Sequence, residues 1–418
     1  MYIALFKMVL CDGVFCSVLI YIQLSWVCSG TIISSNRLTI ISNMISAAAV
    51  ILIIGGFCVG FVAAYPYFFY IRKIRKISFS SSPELSEYPS ISVVVNAYQE
   101  GELVRTRIED IFHAEYPLDK ITLYIVNDGA DPSTGYAAKT ALDGRPIKAT
   151  VLEPKERLGK IKCQNFVLSL ISDEIVVFTD ADITTRPDAL KKLVGRLQDA
   201  EIGAVCADLI PVGSSQDVTG SEGAYRSVYG KMCEYDSQRD STYNFNGPLI
   251  AFKKTAVPYI EETIGADDAN LALTCIANGY RAVYASDAIA YELQPISFRA
   301  QYHQKVRRAD GLVNSTRLFC TTYHEKRSVF WKQIFPMRRW MLLHSPILFV
   351  ASAVLLLTGC FFCSPVCGVS LLLAGIVVLF VSFIKPDNLL SSFILNQVYL
   401  LVGLVKRRNI QQWDRVEK

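Results

Sequence analysis

No glycine-rich phosphate cradle is written into this chain. Between residues 78 and 335 neither G-x-G-x-x-G nor G-x-x-x-x-G-K-[ST] occurs. The usual dinucleotide-binding and P-loop arrangements are thereby excluded, and any phosphate must be held by other means. Strong net charge is also missing. The 418 residues sum to +4 at pH 7, with no Lys/Arg run interleaved with aromatics, so no nucleic-acid partner is expected. The basic clusters that do occur sit beside apolar runs, where attraction to anionic headgroups is the simpler explanation. A disulfide framework is lacking too. Of twelve cysteines, Cys11, Cys16, Cys28, Cys58, Cys360, Cys363 and Cys367 lie in or beside apolar segments and act as small hydrophobes; the other five are scattered. No histidine or charged group accompanies Cys360, Cys363 and Cys367, which argues against zinc.

Charge is absent altogether from several long stretches. The composition is 51% apolar with mean hydropathy +0.30, the profile of a membrane protein that carries a soluble domain. Met44 to Ile71 has no charged residue and, at about 1.5 Å per residue in a helix, exceeds the roughly 30 Å hydrocarbon slab. Met341 to Cys363 and Val366 to Ile384 read as a helical hairpin turned at Ser364-Pro365. Gly13 to Cys28 is a shorter candidate, read as a retained helix rather than a cleaved signal. Leu389 to Val405 is marginal in length and either spans, re-enters or lies in the interface. Arg72, Lys73, Arg75 and Lys76 after one span, and Arg338 and Arg339 before the next, place the intervening region on the cytoplasmic side. The expected organisation is an N-terminal membrane region (1–77, one or two spans), a soluble domain (78–320) and an interfacial segment (321–340). A C-terminal membrane region (341–405) and a basic tail (406–418) follow.

The soluble region alternates strand and helix patterns. "SISVVVNAY" and "ITLYIVNDG" are β-branched runs ending in polar residues, and "ELVRTRIEDIFHAEYP" sets apolar residues at helical spacing. Such a βαβ series predicts a mostly parallel sheet covered by helices on both faces, with ligands at the carboxyl ends of the strands. Asn96, Asp128 and the pair Asp180 and Asp182 fall at those ends. In "VVFTDADITTRPDAL" the two aspartates can point to one spot, where a cation must relieve their repulsion. A hard ion such as Mg²⁺ or Mn²⁺ with phosphate oxygens suits them. Capping of the next helix by Asp182 is the structural alternative.

The ordered blocks "VVVNAYQEG", "YIVNDGAD", "RLGKIKCQN", "VVFTDADITTRPDAL", "YNFNGPLIAFKKTAV", "GADDANLAL" and "QKVRRADG" resemble those of the membrane-integrated family 2 glycosyltransferases with a GT-A fold, over about residues 89 to 311. The resemblance implies an α/β GT-A domain, Rossmann-like and mostly parallel, flanked by transmembrane helices. It implies that Tyr98, Glu100 and Asp128 line the nucleobase pocket of a nucleotide-sugar donor, that Lys160 approaches its diphosphate, and that Asp180 and Asp182 serve ribose and metal. By position, Asp268 would be the general base beside Asp267, giving inversion. Gln304 and Arg307 match the Gln-x-x-Arg-Trp block of the cellulose, chitin and hyaluronan synthase group and would face the acceptor, with Arg308 in place of the tryptophan. Asn96 and Asn127 also depart from the family pattern. Three functions stay open: transfer to a lipid or lipid-linked acceptor, processive polysaccharide synthesis, and a membrane scaffold that retains the fold.

Overall fold

A computed structural model describes residues 35–212, 216–293, 298–385 and 388–405. The short span at Gly13 to Cys28 and the basic tail lie outside the described residues. By internal contacts the chain forms two compact units, one of residues 1–65 and 347–381, the other of 66–346 and 382–418.

The second unit is built on one eight-stranded sheet. Its strands are β1 (Ile91–Ala97), β2 (Ile121–Asn127), β3 (Lys148–Leu152), β4 (Ile175–Asp180), β5 (Ile183–Thr185), β6 (Ile202–Val212), β7 (Leu249–Lys253) and β8 (Arg281–Leu293), in the spatial order β3-β2-β1-β4-β7-β6-β8-β5. β3, β2, β1 and β4 pair in parallel, β7 runs antiparallel to β4 and β6, and β8 pairs parallel with β6. Only β7 and β5 therefore oppose the common direction, as the alternating pattern predicts.

Both sheet faces are covered, which is why the central strands are apolar on successive residues. In β1, Val93 and Val95 enter one core with Val104 and Ile108 of the Glu102–Phe112 helix. Val94 enters the opposite core with Val167 of the Lys160–Leu170 helix and Phe178 of β4. Each such side chain contributes about 1.5–3 kcal/mol of burial. The first of these helices stops at Phe112, short of the Pro117 expected from the sequence. A single 3₁₀ turn, Leu118–Lys120, then leads into β2.

Among the described residues, three helices are long and apolar enough to cross a membrane: Asn43–Ile74, Phe330–Cys363 and Pro365–Ile384. In the first unit, a Cβ on Gly56 would come within 2.7 Å of Leu356, and one on Gly60 within 2.8 Å of Ser352. Ser352 Oγ donates to the Gly56 carbonyl at 2.8 Å. Small residues four apart let two helix backbones approach, the packing that operates in lipid. Leu389–Val405, in the second unit, is shorter and packs along the Phe298–Leu318 helix; a Cβ on Gly403 would lie 2.9 Å from the Asp310 nitrogen. Also in this unit, the buried Asp236 accepts from Tyr70 Oη at 2.9 Å and from Arg338 Nε at 2.7 Å.

Candidate active site

The register puts the ends of β1, β2 and β4 at one edge, with Asn96 level with Val126 and Asp180. Two polar groups form there. At the β1 and β2 ends, the Tyr98 ring lies under the Arg157 guanidinium, 3.9 Å from carbon to centroid. Asp128 Oδ1 accepts from the Leu158 amide at 2.7 Å and Oδ2 from the Gly159 amide at 2.9 Å. Gly159 has φ +89°, which a side chain would resist, so a glycine is needed where this loop enters the next helix. Glu100 sits in the adjoining turn, where its carbonyl accepts from the Leu103 amide. Gln99 and Ala130, the non-glycine described residues with positive φ, directly flank these strand ends. Backbone strain of about 1 kcal/mol each is thus concentrated at this edge.

Asn127 is oriented away from both groups. Its amide donates to the Asp131 carbonyl at 2.8 Å and to Glu153 Oε1 at 3.2 Å, and accepts from the Asp131 amide. An aspartate, the family's usual residue, could not donate and would face Glu153. Asn127→Asp is expected to destabilise the fold by about 1–3 kcal/mol, read as a lower melting temperature. An unchanged melting temperature would contradict this account.

The second group centres on Lys160, the first residue of its helix. A cation there opposes the helix dipole, and two carboxylates offset it: Lys160 Nζ lies 2.7 Å from Asp180 Oδ1 and 2.9 Å from Asp267 Oδ2. Burial works against the ammonium, yet these carboxylates outweigh it and hold its pKa above the ordinary lysine value. Burial raises the pKa of Asp180, Lys160 opposes this, and Asp182 and Asp267 add to the rise. Asp267 and Asp268 open the Asp267–Ala277 helix, whose positive end favours them. Asp268 accepts from the Ala269 amide at 2.7 Å. Burial, aided by the charge of Asp267, pushes Asp268 up to about 7.

Gln304, Arg307 and Arg308 share one face of the Phe298–Leu318 helix, at spacings of three and four residues. Gln304 is buried. Burial, with the neighbouring Arg308 charge, lowers Arg307 to about 10, and Asp267, Asp180 and Glu292 partly restore it. Arg308 is paired at 2.5 Å with the buried Glu292 of β8.

Sequence reasoning missed three supporting residues. Glu292 anchors Arg308. Gln164 donates to Asp267 at 3.4 Å. Gly247 leaves room beside Asp268, since a Cβ there would lie 3.1 Å from Asp268 Oδ2 and press on that carboxylate. The "NGP" of residues 246 to 248 was the available signal for Gly247; Glu292 and Gln164 had none.

A Mg²⁺ or Mn²⁺ ion fits the chemistry of Asp180 and Asp182, hard oxygen donors in a locally acidic setting. Among the described residues no cluster of three or more metal-ligating side chains occurs. Two carboxylates completed by phosphate oxygens is the arrangement small divalent ions accept.

The family model for Glycosyl transferase family 2 matches residues 92–257, and that for Glycosyl transferase family group 2 matches residues 175–384, half of the chain. The chain belongs to glycosyl transferase family group 2. Curated relatives of this family 2 chain include an N-acetylglucosaminyltransferase of Rhizobium meliloti, 22% identical over 60% of this chain and 62% of its own length. Another is a poly-beta-1,6-N-acetyl-D-glucosamine synthase of Staphylococcus epidermidis, 24% identical over 60% and 61%. The chain spans between half and about three fifths of such relatives (62%, 54% and 50% for three of them). A mannosyltransferase from Pyrobaculum calidifontis, solved with GDP-Man and Mn²⁺, superposes with TM-score 0.69 at 24% identity, covering 86% of this chain and 98% of its own. That likeness fixes the GT-A fold.

Proposed function

We propose that this family 2 chain is a membrane-bound inverting glycosyltransferase. It moves a sugar from a UDP- or GDP-sugar to a lipid or lipid-linked acceptor at the cytoplasmic face of a membrane. The observation that carries this reading is the convergence of Lys160, Asp180 and Asp267, with Asp268 beside them at the head of the same helix. Tyr98, Glu100 and Asp128 line the nucleoside end, Asp128 through the loop that delivers Lys160. Lys160 supplies positive charge toward the diphosphate. Asp180 and Asp182 would hold a divalent ion, which offsets charge on the departing diphosphate when bound. Asp268 takes the proton of the acceptor hydroxyl as the sugar carbon is attacked, and its raised pKa suits that task near neutrality. One base opposite one leaving group gives a single displacement and inverts the anomeric carbon. Gln304, Arg307 and Arg308 face the acceptor.

Arg308, tied to Glu292, stands where the polymerising relatives carry a stacking tryptophan, which favours single transfer or short products over long polymers. Membranes containing the full chain, incubated with labelled UDP- and GDP-sugars and Mn²⁺ or Mg²⁺, are expected to yield a lipid-extractable product and free nucleoside diphosphate. High-molecular-weight glycan on a gel would replace this reading with a processive synthase, and no transfer from any donor would leave only the scaffold.

A further inference from the structure

A fully buried arginine lies under the acidic loop without joining it. Arg107 has no exposed surface. It occupies a core-facing position of the Glu102–Phe112 helix, in register with the buried Val104, Ile108 and Ile111. Burying a guanidinium is costly unless the fork is well used. Here Nε donates to Thr179 Oγ1 at 3.1 Å, and Nη1 pairs with Asp110 and donates to Thr185 Oγ1 at 3.3 Å. Asp110 also accepts from the Thr185 amide at 3.1 Å and from its hydroxyl at 2.8 Å. Thr179 immediately precedes Asp180, and Thr185 follows Asp182 by three residues. The contacts therefore grip both ends of the segment that carries the two carboxylates. β5, pairing with β8, also holds its far end, and the buried Ala181 fixes its middle.

We propose that Arg107, with Asp110, is a positioning residue that sets the separation of the Asp180 and Asp182 carboxylates and so the affinity of the site for a divalent ion. This rests on the donor-site reading above. Arginine is required because its planar fork reaches Thr179 and Thr185 together; a lysine ammonium carries the same charge but cannot span both. The remaining nitrogen, Nη2, makes no hydrogen bond. Geometry toward the two threonines, rather than saturation of the guanidinium, is what this arginine supplies.

The test uses the detergent-solubilised full chain and Mn²⁺ binding in the presence of UDP or GDP, read from loss of the free Mn²⁺ electron paramagnetic resonance signal. Arg107→Met and Arg107→Lys are each expected to weaken Mn²⁺ binding by about 10- to 100-fold, the usual range for groups that orient metal-binding side chains. Thr185→Val, which keeps the core packed, is expected to weaken it in the same direction and serves should Arg107→Met fail to fold. Wild-type affinity in Arg107→Lys would show that charge rather than the fork matters and would overturn the proposal, as would unchanged affinity in Thr185→Val. Wild-type protein that binds no Mn²⁺ with either nucleotide would overturn the donor-site reading itself.

Discussion

Asp268→Asn is expected to reduce sugar transfer by about 10²- to 10⁴-fold, the range for loss of a positioned general base, while making the protein more stable. The two effects share one cause. Burial and the adjacent Asp267 raise the Asp268 pKa to about 7 from the ordinary carboxylate value. Between those values the unfolded chain releases a proton that the folded protein keeps. The group therefore costs stability as pH rises, with the cost fully present above about pH 7 and absent below the unfolded pKa of about 4. Asparagine removes that cost, and a melting temperature higher by a few degrees is expected at pH 8 and not at pH 4. In the wild type, kcat/KM should fall on the acid side with an apparent pKa near 7, the value to which burial pushes Asp268. Asp267→Asn should behave oppositely in stability, because Lys160 loses a partner at 2.9 Å. Full activity in Asp268→Asn would transfer the base role elsewhere.

Asp182→Ala is expected to lower transfer by about two to three orders of magnitude and to remove its response to added Mn²⁺. Asp180 is engaged by Lys160 at 2.7 Å, so its loss would disturb the lysine as well as the metal. Asp182 gives the cleaner measurement. Donor hydrolysis followed across a Mn²⁺ titration separates the outcomes: a flat, low response supports the assigned role, and a wild-type titration curve removes Asp182 from it.

Much of this was legible from local pattern. The βαβ alternation of "SISVVVNAY", "ITLYIVNDG" and "EIVVFTDAD" predicted strands whose polar ends share an edge, and β1, β2 and β4 align them so. Burial of the successive residues Val93, Val94 and Val95, alternately in the two cores, follows from a sheet covered on both faces. What escaped were properties of chain segments distant in sequence. Asn127 read only as a departure from the family pattern; Asp131 and Glu153 take up its side-chain amide. Nor could local pattern show that Leu158 and Gly159, some thirty residues on, bring their amides to Asp128. Arg107 broke the apolar stripe of its helix, a visible irregularity whose meaning depended on Thr179 and Thr185. The helix at Leu389–Val405 was ambiguous because hydropathy registers apolar surface and is blind to whether protein or lipid covers it.

That last helix has a practical bearing on how the molecule can be dissected. The stretch from 78 to 320 looks separable, but its Phe298–Leu318 helix leans on Leu389–Val405, and Asp236 draws its partners from Tyr70 and Arg338. An excised fragment would uncover a greasy flank beside Gln304 and Arg307 and leave an anion stranded in the interior, so it should aggregate rather than work. Within the second unit, the 78–320 stretch, the Leu389–Val405 helix and the segments carrying Tyr70 and Arg338 therefore fold together.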